Sequence, residues 1–189
     1  MRLIPVLSFL LVTGLAIVDS DAQNSKNAAD VLSGASNHAS LATFDQSETL
    51  VWKELKSGVN CYGKSDRYQW ESVPAALSDI RFSRSLVHAG KLSVKVKSGG
   101  LVFIATSTRW KGGGNSSGDW LEEAMDEREL RRAGWRPLRQ FKGLTNNDTG
   151  EWLVFYREAK AGESFSIRTE KYAAPVLLNR YPSSLASTQ

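Results

Sequence analysis

The stretch "KLSVKVKSGGLVFIATST", Lys91 to Thr108, constrains the fold of this chain more than any other. A strand turns successive side chains to opposite faces, so alternation with period two marks a sheet that is apolar on one side. Leu92, Val94 and Val96 alternate with Lys91, Ser93, Lys95 and Lys97. That pattern predicts a half-exposed strand, and its lysines suit a sheet edge. Ser98-Gly99-Gly100 is a turn signal. "LVFIATST" then starts apolar at every position, as a strand covered on both faces must. The two runs predict a β-hairpin.

The same logic predicts a second hairpin. "EWLVFYRE" (Glu151–Glu158) is rich in aromatic and branched residues, and "AKAGES" supplies a turn. "SFSIRTE" then alternates Phe165 and Ile167 with Ser164, Ser166 and Arg168. Further strands are expected at Thr49–Leu55, Ile80–Leu86, Arg136–Phe141 and Ala174–Asn179. Pro74 and Asp79 interrupt "SVPAALSDI", which reads as a connector with one helical turn. Asp126 and Glu129 form a capping box, and Gly134 suits the C′ position. They delimit a helix at 127–133, with Leu130 and Ala133 toward the sheet and Trp135 opening the next strand. Short strands separated by turns argue for a mainly β fold. The expected architecture is an antiparallel β-sandwich, jelly-roll-like, with that one short helix.

The ends of the chain differ from this middle. Arg2 precedes a charge-free apolar run from Leu3 to Val18, and Ser20-Asp21-Ala22 offers small residues at the −3 and −1 positions. Residues 1–22 therefore read as a secretory signal cleaved after Ala22. The run is shorter than the roughly 20 residues a helix needs to span a bilayer. Residues 23–47 are rich in Ser, Ala and Asn without a sustained period, which predicts a flexible leader. The folded domain is expected at 48–180 and a loose tail at 181–189.

Composition narrows the functional classes. The 24 Lys and Arg against 20 Asp and Glu give a formal charge of +4. Acids and bases are interspersed, so no nucleic-acid partner is expected. Cys61 is the sole cysteine, so no intrachain disulfide can form. Between Val59 and Tyr62 it reads as a buried small hydrophobe.

One loop has the outline of a phosphate site: "GLVFIATSTRWKGGGNSSGDW" passes from strand to glycines toward a helix. A phosphate cradle converges backbone N–H groups on an anion and needs Gly-Lys-Ser/Thr at the helix entry. Here Asp119 stands at the entry and no such lysine follows, so a nucleotide cofactor is not expected. His38 and His88 are the only histidines, and neither has metal-ligand spacing. No nucleophile elbow occurs. The sequence therefore predicts no catalytic residues, no metal and no cofactor. Asn115-Ser116-Ser117 and Asn147-Asp148-Thr149 match glycosylation sequons and mark exposed loops.

The aromatic residues carry the binding hypothesis. Sugar C–H faces stack on rings held on loops. Trp110 and Trp120 flank the glycine-rich loop, and Tyr68 and Trp70 lie in the polar "GKSDRYQW". These four form a candidate platform, with Arg67, Asp66, Arg109 and Asn115 as its hydrogen-bonding groups.

Taken together, "GVNCYGKSDRYQWESVPAAL", "GLVFIATSTRW", "LRRAGWRPL" and "SFSIRTEKYAAPVLL" resemble a small β-rich domain of unknown function. That domain recurs in secreted bacterial proteins, often beside carbohydrate-active enzymes or sulfatases. The resemblance covers roughly Val51 to Leu178. It implies a β-sandwich accessory domain and transfers no catalytic residues. The expected function is a secreted or periplasmic, non-enzymatic domain that binds carbohydrate or another cell-surface polymer through loop aromatics. The alternative is a structural or protein-interaction module, contacting partners through the Lys91–Lys97 edge or Cys61. A small hydrolase is the third class; it requires converging acids, or His88 beside Cys61.

Overall fold

Period-two alternation becomes strand over about half of the described residues, and the sheets are antiparallel. The computed structural model describes residues 20–34, 39–45, 51–62, 68–84, 91–107, 127–147, 150–168 and 175–180. In chain order they form helix α1 (Ser20–Ser33) and strands β1 (Thr43–Phe44), β2 (Val51–Glu54) and β3 (Trp70–Ser72). A 3₁₀ turn (Ala75–Leu77) precedes β4 (Ile80–Arg84), β5 (Lys91–Ser98) and β6 (Gly100–Ser107). Helix α2 (Glu127–Arg132) leads to β7 (Arg136–Leu138), β8 (Thr145–Asn146), β9 (Gly150–Ala159), β10 (Ser164–Arg168) and β11 (Val176–Arg180).

Neither expected hairpin forms. The small sheet has the order β1-β5-β10, and the large one β2-β4-β11-β6-β9-β8-β3, with β7 also on β9. β5 and β6 are consecutive but belong to different sheets, and so do β9 and β10. Each turn carries the chain from one sheet to the other. The two crossings lie side by side: Gly162 N–H donates to Val96 O, and Val96 N–H donates to Glu163 O, both at 2.8 Å. β6 pairs with β9 from Gly100↔Ala159 to Ser107↔Trp152, and β5 pairs with β10 from Lys91↔Arg168 to Lys95↔Ser164. β5 is therefore central in the small sheet, which overturns the edge position inferred from its lysines. Solvent on one face, not an open edge, accommodates them.

Glycine makes the first crossing fit. Gly100 has φ 151°, in the region that disfavours side chains, and a Cβ there would run into Ser40 O. The close approach is needed because residues 40–42 bond to β6: Leu101 N–H donates to Ser40 O and Ala42 N–H to Leu101 O, each at 2.9 Å.

The doubly apolar reading of β6 is realised. Val102 and Ile104 face the small sheet and pack with Leu92, Val94, Val96, Phe155, Ile167 and Leu177. Phe103 and Ala105 point the other way, into a second cluster with Trp152, Val154, Tyr156, Val176 and Leu178. The large sheet thus has a core on each face, and β6, β9 and β11 must be apolar on both.

Helix α1 closes part of the second core. Residues 23–47 were expected to be a flexible leader, but 23–33 are helical and packed. Ala28, Val31 and Leu32 lie at i, i+3 and i+4 spacing and are buried. Gln140 Nε2 donates to Ser25 O at 3.2 Å, fixing the helix to the segment after β7. β1 places Thr43 and Phe44 in the small sheet. The folded unit therefore includes residues N-terminal to 48. The tail at 181–189 lies outside the described residues.

α2 forms where the sequence placed it, with Leu130 buried. It ends at Arg132. Gly134, at φ 86°, donates to Arg131 O at 3.0 Å, and Trp135 N–H donates to Leu130 O at 2.9 Å. That is the paired bonding of a Schellman cap. The cap turns Ala133 outward, so Ala133 is exposed rather than set against the sheet.

Candidate functional site

Of the candidate platform, only Tyr68 and Trp70 fall among the described residues. Trp110, Trp120, Arg109, Asn115, Asp66 and Arg67 lie outside the described residues. Tyr68 and Trp70 are core residues, 5% and 1% exposed. Trp70 packs edge-on against Trp152 at 4.9 Å and Phe82 at 5.5 Å, and Tyr68 meets Tyr62 at 5.6 Å. Rings so enclosed present no face to a sugar. Their polar neighbours in sequence belong to the loop, while the rings fill the end of the core. Asn147, of the second sequon, is exposed, and its Oδ1 accepts a bond from Gln69 N–H at 2.9 Å.

Cys61 is fully buried, and Asn146 Nδ2 lies 4.0 Å from its sulfur. Burial pushes the thiol pKa up, well beyond the usual range, so the thiolate is suppressed at neutral pH. Both histidines lie outside the described residues. Among the described residues, no three His, Cys, Asp or Glu side chains gather as a metal site.

A concave site does form where α1 crosses the ends of β6, β9 and β7. The cleft has a volume of about 460 Å³. Ala28, Val31 and Leu101 supply its apolar lining, and Asn24, Asn27, Arg136, Tyr156 and Glu158 its polar groups. This mixture, at this size, suits a small ligand or one unit of a polymer. Tyr156 is 6% exposed, and its hydroxyl is buried without a hydrogen-bond partner. Buried hydroxyls almost always have partners, so an orphaned one lining a cleft is informative.

Arg136 stands at the junction with a second, more open recess of about 670 Å³. Asp21, Ala22, Arg131 and Arg139 also line this recess. The Arg136 Nη1 donates to Asp21 Oδ1 at 2.8 Å. Arg131 and Arg139 converge on Glu127 Oε1 at 2.9 and 2.7 Å. The "LRRAGWRPLR" segment holds four arginines, and the α2 cap folds three of them around one recess.

Arg157 has a different role. Its guanidinium lies 5.2 Å from the Trp135 ring centroid and 4.7 Å from that of Phe165, and Nη2 pairs with Glu163 at 2.6 Å. It ties β9 to β10 across the sheets. Glu163 also accepts from Lys160 N–H at 2.9 Å, and that bond, ahead of its pairing with Arg157, lowers its pKa.

None of these cleft residues was singled out from the sequence as a binding group. Asn24 and Asn27 belong to the segment read as loose, and Tyr156 reads as one more strand aromatic. The signal available was the i, i+3, i+4 spacing of Ala28, Val31 and Leu32, which would have docked the helix and created a wall.

Fold and cleft define a mainly β domain of antiparallel sheets, the large one curled into a half-barrel, with a polar, arginine-bordered cleft under its first helix. No protein-family model, curated protein or solved structure matches the chain.

Proposed function

We infer that this chain is a secreted or periplasmic, non-enzymatic binding domain whose ligand is a carbohydrate or another cell-surface polymer. The ligand is held in the cleft under α1. The two sheets, facing each other across Leu92, Val94, Ile104 and Phe155, are read as a β-sandwich of jelly-roll type. The observation that carries the binding reading is the Tyr156 hydroxyl, buried, unpartnered and beside Asn24 and Asn27. A hydroxyl and two amides are the complement that sugar hydroxyl groups require. Recognition here is by hydrogen bonds; among the described residues, Val51 is the one large apolar side chain that is exposed.

The interaction-module alternative is less well supported at the two contact points proposed for it. The strand pairs with β10 from Lys91 to Lys95 and with β1 at Val96 and Ser98, and Cys61 is buried. The cleft reading is tested with the exported protein on a glycan array, comparing wild type with Tyr156→Phe. Removing an orphaned buried hydroxyl leaves stability unchanged or slightly raised, while losing one ligand bond costs about 1 kcal/mol, or roughly fivefold in affinity. Equal binding by both proteins places the ligand elsewhere, and an array with no binding at all rejects the carbohydrate reading.

A further inference from the structure

Resting on that reading, we propose that Arg131, Arg136 and Arg139 form an anion subsite at the mouth of the cleft. Its ligand is a carboxylate or sulfate ester of an acidic polysaccharide, and signal cleavage unmasks it.

The structure contains the stand-in for such a ligand. Asp21 places its carboxylate on Arg136 at 2.8 Å although its side chain is 78% exposed and that of Arg136 48% exposed. An exposed pair of this kind is weak and readily exchanged for a better anion. Glu127 shows the same preference, accepting from both Arg131 and Arg139. Guanidinium forks match the planar carboxylate and the sulfate oxygens, which makes them selective for these groups over neutral sugars.

Asp21 and Ala22 border the recess, and both precede the expected cleavage point. Cleavage after Ala22 removes the carboxylate from Arg136 and leaves the α-amino group of Gln23 in the first turn of α1. Three cations facing two carboxylates become four cations facing one, counting the new amino group while it is protonated, below a pKa of about 8. The helix dipole adds to the attraction for an anion at that end. The adjacent cleft supplies Asn24, Asn27 and Tyr156 for the hydroxyl groups of the same sugar chain. A nucleic acid shares the anionic chemistry but is less well matched, because the described surface offers no exposed ring for its bases.

The test starts with the N-terminus of the exported protein, read by mass spectrometry. The proposal requires Gln23 or a later residue that leaves Asn24 in place; an N-terminus that retains Asp21 overturns the unmasking. Binding is then measured by calorimetry to polygalacturonate, dextran sulfate, neutral dextran and a single-stranded oligonucleotide. Exported protein is expected to bind one of the two acidic polysaccharides about tenfold more tightly than neutral dextran, on the scale of one charge-assisted hydrogen bond. Which of the two is preferred assigns carboxylate or sulfate. Arg136→Ala abolishes that preference with an unchanged circular dichroism spectrum. Full chain produced without export binds more weakly, and Asp21→Asn in that chain restores binding. Preference for the oligonucleotide overturns the ligand class. Sugar binding that Tyr156→Phe weakens but Arg136→Ala does not overturns the anion subsite and leaves the cleft reading standing.

Discussion

Replacement of Leu32 by Ala separates an α1 that belongs to the folded unit from one that merely rests on it. Leu32 is fully buried, in the same apolar cluster as Ala28, Trp152, Val154 and Tyr156. Truncating a leucine in such a setting removes three carbons and leaves a cavity, at a cost of about 2–5 kcal/mol. That cluster is built largely from strand residues of the large sheet, so little collapse into the cavity is available, and about 3 kcal/mol is expected. With a urea m-value of roughly 2 kcal/mol/M, the midpoint falls by about 1.5 M. In a thermal scan the drop is roughly 6–12 °C for a chain of this size. The assay is urea unfolding followed by circular dichroism, with exposed Gln23→Ala as a control expected within about 0.5 kcal/mol of wild type. An unchanged midpoint in Leu32→Ala, with the amides of 28–33 exchanging at unprotected rates, refutes the docking of α1. The cleft would then lose its wall.

Three further outcomes are expected. Gly100→Ala forces a Cβ toward Ser40 O at φ 151° and lowers stability by about 2 kcal/mol or more, whereas Gly162→Ala, strained in φ but with open space around it, costs less; urea midpoints compare them. Cys61 stays unmodified by a thiol reagent in the native protein and reacts once it is unfolded in denaturant, since burial suppresses its thiolate; mass spectrometry reads the adduct. Glu163 has a lowered pKa in the folded state, so its contribution is present above the ordinary carboxylate range and disappears as pH falls through the folded value. Glu163→Gln is therefore less stable than wild type at pH 7, and the two curves converge in acid.

Individual strands were legible in the sequence because side-chain alternation reports directly which faces are covered. Partnering was not. "SGG" and "AKAGES" carry turn chemistry, and a turn between strands of one sheet looks the same as a crossing between two. The deciding fact, that β6 is covered on both faces and so needs a second sheet over it, was present in "LVFIA" but pointed only to burial. α1 was missed because its buried side is built from Ala28, Val31 and Leu32 within a polar, asparagine-rich segment, a weak stripe that tertiary packing completes. Tyr68 and Trp70 misled because a polar neighbourhood describes the loop and not the direction of a ring. The cleft was beyond sequence reading for a simpler reason: Asn24, Leu101, Arg136 and Tyr156 come together from four separate segments.

The paired crossings also bear on how the chain reaches this state. Gly100 must find Ala159, and Lys91 must find Arg168, before either strand of a crossing has its partner. With both tight turns spent on changing sheets, neither can seed a local ladder; β8 and β9 pair locally, Asn146 with Gly150, but the β6–β9 and β5–β10 ladders close long loops at high entropic cost. Such a chain folds slowly and as a single cooperative event.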